Sequence, residues 1–276
     1  MCAWYSSWPA AMAKSDDPLR RHSVQKKSTL KPFAPGDVFL GNTYLNNPAD
    51  DHMGEGRIIQ LDRNFVVKGT WYTTGTRYFI VGCTFAPDGT LWAFDCHDHI
   101  VVRATPDGRE LEPWDCGLSF GSVNWDGAGN LFFGEYFRGS EIWKGTSAKL
   151  LADGTLGAGR LYRYSPDLAP QAAYSVDNAP EPTRFKGVTH STIHPSGEFI
   201  TYTTETARRL MRFDIRNARQ LPDLAAYDGD PYDRNDRRWF IAPRYLTDGR
   251  LLCTDATGLA VYDESGRMIQ HITLPG

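Results

Sequence analysis

Several absences narrow the sequence before any motif is read. There is no run of about 18 apolar residues, so no segment is suited to span a bilayer as a helix. There is no basic excess either. Thirty Lys plus Arg stand against 33 Asp plus Glu, a formal charge of −3, and no nucleic-acid partner is expected. Cysteine is scarce and odd in number. Cys2, Cys83, Cys96, Cys116 and Cys253 form no CxxC pair, which reads as free thiols packed in strands rather than a disulfide framework or zinc cluster. No GxSxG, HExxH, Walker or GxGxxG pattern stands in a strand–loop–helix context, so serine hydrolase, zincin, NTPase and Rossmann readings fall away. No leader peptide is expected. Ala11-Met12-Ala13 imitates a cleavage site, but no basic residue precedes it, and Ser6, Ser7 and Pro9 break the apolar run. The expectation is a cytoplasmic protein that does not touch a membrane.

What is present points to strands. The 276 residues include 8 Trp, 13 Tyr and 14 Phe, with 26 Gly and 17 Pro. Aromatics favour pleated, half-buried segments, and Gly and Pro favour tight turns. The chain is long enough to bury a full core without disulfide or metal staples.

A repeat organises these residues. Four segments share one grammar of strand, Gly-containing turn and strand: 83–95 (CTFAPDGTLWAFD), 123–135 (VNWDGAGNLFFGE), 192–203 (TIHPSGEFITYT) and 242–255 (APRYLTDGRLLCTD). Their turn glycines are Gly89, Gly129, Gly197 and Gly249. A second hairpin follows each, at 100–114, 160–175, 209–224 and 259–274, and an earlier copy spans 57–72. The third unit carries an insertion at 137–159, where only residues 147–154 suit a turn of helix. Four short strands, A to D, joined as a meander and recurring along the chain, make an all-β fold, a β-propeller. Blades fall near 37–74, 77–117, 118–178, 184–228 and 232–276, after an N-terminal arm at 1–36. The first blade shows B, C and D strands but no A strand.

The segments at 85–95, 126–137 and 261–275 resemble the superfamily of gluconolactonase, senescence marker protein and luciferin-regenerating enzyme. NHL-repeat proteins and the streptogramin-inactivating lyases look similar at this level. The resemblance covers about 55–276 and is one of blade grammar. It implies six blades, where five units are countable here. It also implies lactonase or esterase chemistry and a divalent cation on the axis, held by Glu, Asn and Asp at the starts of A strands. The matching positions in this chain are Val81, Gly121 or Ser122, Thr189 or His190, and Ile241, and none is acidic. Calcium wants oxygen donors. No cofactor is therefore expected, and the resemblance alone would suggest a divalent cation.

The turn chemistry also divides the two faces. The tight turns are all A–B or C–D, so B–C loops and D–A entries carry the long segments and the expected site. That face collects His52, His97, His99 and His190, acids including Glu135 and Glu205, and the bases Lys186 and Arg244. His190, Glu135 and His52 are the candidate acid/base residues. Tyr78, Tyr136, Ser122, Lys186, Arg244 and Glu205 are the candidate substrate-binding residues, with the bases holding an anionic substrate. Tyr44, Trp143 and Phe185 could add to an aromatic wall, and Asp95 and Asp255 read as strand-end caps. On a strand, His97 and His99 would share a face about 6.6 Å apart, a weak alternative metal pair. His194, near the opposite turn, reads as structural. Two functions follow. One is a small-molecule enzyme at the channel mouth: a lactonase- or esterase-like hydrolase, or a metal-independent acid/base lyase, on an aromatic substrate. The other is a non-catalytic propeller that binds a protein partner.

Overall fold

One turn chemistry is repeated around the molecule. In the computed structural model, Gly89 N–H donates to Ala86 O at 2.9 Å, Ala86 N–H to Thr90 O at 2.8 Å, and Asp88 Oδ1 accepts Thr90 N–H at 2.9 Å. Gly89 has φ +82°, a conformation open to glycine without steric cost. The structure describes residues 27–45, 54–76, 78, 80–139, 148–178, 186–204, 208–228, 239–254 and 258–273.

The first sheet orders β1 (Val38–Leu45), β2 (Gly54–Leu61) and β3 (Val67–Tyr72). The second holds β4 (Gly82–Phe85), β5 (Leu91–Asp95), β6 (Ile100–Ala104) and β7 (Trp114–Asp115). In the third, β8 (Phe120–Trp125) and β9 (Leu131–Glu135) are followed by an inserted hairpin, β10 (Arg138–Gly139) with β11 (Gly157–Ala158). The sheet then resumes with β12 (Leu161–Tyr164) and β13 (Pro170–Tyr174). The fourth is β14 (His190–Ile193), β15 (Phe199–Thr203), β16 (Arg209–Asp214) and β17 (Arg219–Ala226). The fifth is β18 (Ile241–Tyr245), β19 (Leu251–Thr254), β20 (Gly258–Tyr262) and β21 (Met268–Thr273). All neighbours within these five sheets pair antiparallel, as a β-propeller requires. The described residues include no helix, so the helical turn expected within the insertion does not form among residues 148–154.

Alternating side chains lock each blade to the next. On β5, Leu91 and Ala93 face Ile58 and Trp71 of the first blade, while Trp92 and Phe94 join Phe120, Phe133 and Tyr164 of the third. Phe132 and Leu161 then pack on Ile200, Tyr202 and Met211, and Leu210 and Leu224 on Phe240, Leu251 and Tyr262. The aromatic surplus is spent largely here. The inner strands also come unusually close. A Cβ on Gly82 would stand 2.5 Å from Gly121 O, and one on Gly121 would stand 2.7 Å from Thr189 O.

The first blade departs from its neighbours. β1 leaves a tight turn in which Asp37 N–H donates to Ala34 O at 3.0 Å, and it runs toward the long connection at 46–53. That alternation gives β1, β2 and β3 the second, third and fourth positions. Part of the N-terminal arm lies on the outer edge of β3. Thr29 N–H donates to Thr70 O at 2.7 Å, and Tyr72 N–H to Ser28 Oγ at 3.1 Å. Phe33 N–H then reaches Pro106 O of the second blade at 2.8 Å.

Candidate functional site

Glu135 ends β9 at the loop-bearing end of the channel and is fully buried. The chain turns back on itself there. Gly187 N–H donates to Tyr136 O at 2.7 Å and Val188 N–H to Glu135 O at 2.8 Å, which lays the entry to the fourth blade along the exit of β9. Only glycine allows this approach, since a Cβ on Gly187 would stand 2.5 Å from Glu135 O. Gly134 acts similarly, with its absent Cβ 2.7 Å from Ser122 Oγ.

That backbone pairing brings Lys186 to Tyr136. The buried Lys186 Nζ donates to the Tyr136 hydroxyl at 3.1 Å and lies 4.3 Å from the Tyr136 ring centroid and 5.1 Å from that of Phe137. Phe137 in turn meets Tyr136 at 4.9 Å and His97 at 5.3 Å, both edge-on. His97 stacks on Tyr78 at 3.6 Å. Three expected binding residues, Tyr78, Tyr136 and Lys186, therefore share one continuous cluster with His97 and Phe137. Asp95 supports it from below, as its expected capping role requires. Its Oδ2 accepts Tyr78 N–H at 3.1 Å and its Oδ1 accepts His97 N–H at 3.0 Å.

The Glu135 carboxyl sits under the inserted hairpin. Its Oε2 accepts Arg160 N–H at 3.0 Å. Burial pushes its pKa up, against the backbone N–H groups of Arg160, Ala158 and Gly159 and the Tyr162 hydroxyl, which favour the charged form. The Tyr162 hydroxyl is itself pushed up to about 12, by burial first and the Glu135 charge second. His190 opens β14, half-buried, with Nδ1 3.2 Å from Thr189 Oγ1. Next to it, Ser191 Oγ lies 2.7 Å from Ser122 Oγ and accepts Asn124 Nδ2 at 2.8 Å. Ser122 thus belongs to a polar seam between the third and fourth blades.

Other expectations land elsewhere. His97 and His99 lie in the turn between β5 and β6, not on a strand, and His99 has φ +61°. Its Nε2 is 2.9 Å from Lys149 O, and burial lowers its pKa. Among the described residues no group of three or more His, Cys, Asp or Glu could hold a metal ion. Of the axial positions Val81, Gly121 or Ser122, Thr189 or His190, and Ile241, Val81 and Ile241 carry no side-chain donor for a cation and none is a carboxylate. Arg244 lies toward the turn end of β18, beside Tyr245, Pro87 and Pro195, and not at the loop face. His194 Nδ1 accepts Ser196 N–H at 3.1 Å beside the fourth blade's first turn. His52, Glu205, Trp143, Phe185 and Asp255 lie outside the described residues. Phe137 and Gly187 escaped the sequence reading. A phenylalanine after two polar-tipped residues gave no sign of its ring contacts, and Gly187 looked like one more loop glycine.

A comparison of the sequence with family models finds no match, and one with curated proteins finds none. Solved structures do match. A putative gluconolactonase is similar at TM-score 0.58 and 14% identity, over 89% of this chain and 84% of that one. A gluconolactonase from Xanthomonas campestris is similar at TM-score 0.55 and 16% identity, over 80% of this chain and 69% of that one. A Bacteroides caccae protein of unknown function is similar at TM-score 0.50 and 11% identity, over 85% and 82%. The likeness is one of fold: this chain is built as the gluconolactonase-like β-propellers are.

Proposed function

We propose that this protein is a small-molecule enzyme acting at the loop-bearing mouth of the propeller channel, on an ester or lactone with an aromatic part. One observation carries the reading. Lys186 is 8% exposed, and its ammonium donates to the Tyr136 hydroxyl at 3.1 Å. An ammonium and a phenol side by side are suited to stabilise charge that develops on a carbonyl oxygen.

His190 supplies the base. Its Nδ1 meets Thr189 Oγ1 at 3.2 Å, and in this reading the imidazole takes a proton from water as the water oxygen bonds to the carbonyl carbon. Lys186 and Tyr136 donate to the resulting oxyanion. Collapse breaks the bond to the leaving oxygen, which takes the proton back from His190. Glu135, neutral more readily than an exposed carboxylate, holds the hairpin over the site. A lyase would use the same base on a carbon-bound proton, with the same donors on the enolate oxygen.

A second reading rests on the closed packing of the cluster. Tyr78, His97, Tyr136 and Phe137 are each at most 7% exposed, which suits a filled centre presenting a surface to a protein. Hydrolysis of phenyl acetate and of dihydrocoumarin, followed by absorbance, separates the two. The enzyme reading expects turnover that Lys186→Met and His190→Gln each reduce by about tenfold or more. Turnover that survives both changes removes these residues from the mechanism. No turnover of any ester, lactone or eliminable acid favours the binding module.

A further inference from the structure

The opposite end of the channel holds a concavity of about 380 Å³, within the range of about 300–1,000 Å³ usual for small-ligand sites. It is ringed by equivalent positions. Phe85, Trp125, Ile193 and Tyr245 each stand four residues before the first-turn glycine of their blade, and all four line it. Three of the four are aromatic. Phe85 is 43% exposed, held edge-on by Phe33 and Phe39 at 5.9 and 5.4 Å.

Most polar groups of the wall are already engaged. Asn124 bonds Ser191 and accepts Ile193 N–H at 3.0 Å, Thr192 Oγ1 accepts Tyr245 N–H at 3.2 Å, and the Tyr245 hydroxyl meets Thr201 at 2.7 Å. The one charged side chain of the wall is Arg244, which is exposed and makes no ion pair among the described residues. No carboxylate lines the cavity. Three acids of the surrounding turns are turned onto their own loops, Asp88 to Thr90 N–H, Asp126 to Ala128 and Asn130 N–H, and Asp248 to Arg250, while Glu264 lies against the Gly249 turn. The cavity thus presents flat apolar walls and one guanidinium that makes no ion pair among the described residues.

We infer that this turn-face cavity binds a small aromatic carboxylate, its ring between the aromatic walls and its carboxylate paired with Arg244. The chemistry fits a free aromatic acid or the terminal carboxylate of a chain ending in an aromatic residue. The site is separate from the loop-face cluster, and the test keeps the two apart.

Calorimetric titration of the whole protein with 2-naphthoate tests it. Saturable binding is expected, weakened by about tenfold or more for neutral 2-naphthalenemethanol and for the exposed, fold-neutral change Arg244→Gln. Trp125→Ala should also weaken it, and Lys186→Met at the other face should not. An acetylated dipeptide ending in phenylalanine, with free or amidated terminus, distinguishes the sources. Binding of the free-terminus peptide identifies a chain end, and binding of naphthoate alone a free acid. Equal binding of the neutral analogue, unaltered binding to Arg244→Gln, loss with Lys186→Met, or no saturable binding of either acid would overturn the inference.

Discussion

Replacing Glu135 by Gln should reverse the sign of its effect on stability between acid and mildly alkaline pH. The carboxyl is fully buried, and one oxygen accepts Arg160 N–H at 3.0 Å. Burial raises its pKa above the ordinary carboxylate value of about 4.3. The folded protein therefore holds this proton more tightly than the unfolded chain does. The stabilisation is complete below the unfolded pKa and is lost as pH rises through the folded one, at about 1.4 kcal/mol per unit of elevation. Glutamine keeps an acceptor for Arg160 and does not titrate. E135Q should match or fall slightly below the wild type at pH 4 and exceed it at pH 8, by an amount that reports the elevation. E135A is the contrast. It orphans Arg160 N–H, at a cost of about 1–3 kcal/mol, and opens a cavity, so it should lose stability at both pH values. Urea unfolding of the three proteins at the two pH values measures this. A difference between E135Q and wild type that does not change with pH would refute the raised pKa. E135A as stable as wild type would refute the capping role.

Three further outcomes follow from the same geometry. Gly121→Ala places a Cβ 2.5 Å from the Tyr136 ring and 2.7 Å from Thr189 O, so it should cost about 1–3 kcal/mol by overpacking, read as a lower urea midpoint. An unchanged midpoint would mean that the inner strands are not packed so tightly. Phe65 is 72% exposed at φ +61°, so Phe65→Gly should gain about 0.5–1 kcal/mol, the relief of left-handed strain less the entropy lost by glycine. Destabilisation would refute the strain. Millimolar calcium or its chelator should leave the melting midpoint in place, because Val81 and Ile241 offer no donor where an axial ion would sit. A site filled a hundredfold above its dissociation constant would instead add about 2.7 kcal/mol.

The blades were legible because their first turns are written in glycine. Gly89, Gly129, Gly197 and Gly249 all adopt positive φ. The second turns were harder to read, since Phe65, Leu168 and Ala218 hold the left-handed position without glycine. The loop-face cluster was half legible. Tyr78, Tyr136 and Lys186 could be assigned to one face from loop alternation. Their junction depends on Gly187 lying against Glu135, which involves residues 52 positions apart and has no local signature.

Arg244 shows why a face can be assigned wrongly. An inner strand runs from the loop mouth to the turn, so membership of the strand does not fix depth along the channel. Distance from the turn glycine does. His190 stands seven residues before Gly197 and lies near the loop end. Arg244 stands five before Gly249, as Thr192 does before Gly197 and Asn124 before Gly129, and all three line the turn-face cavity. At about 3.3 Å per residue, two positions shift a side chain by about 6.6 Å along the axis, enough to move a cation from one mouth of a short-stranded propeller to the other. The same count makes the charge distribution informative. At the depth where two blades place Asn124 and Thr192, both consumed by internal hydrogen bonds, the fifth places an arginine that makes no ion pair among the described residues. A charge that the repeat does not require and that no described carboxylate pairs with is what a ligand site needs and a structural seam does not.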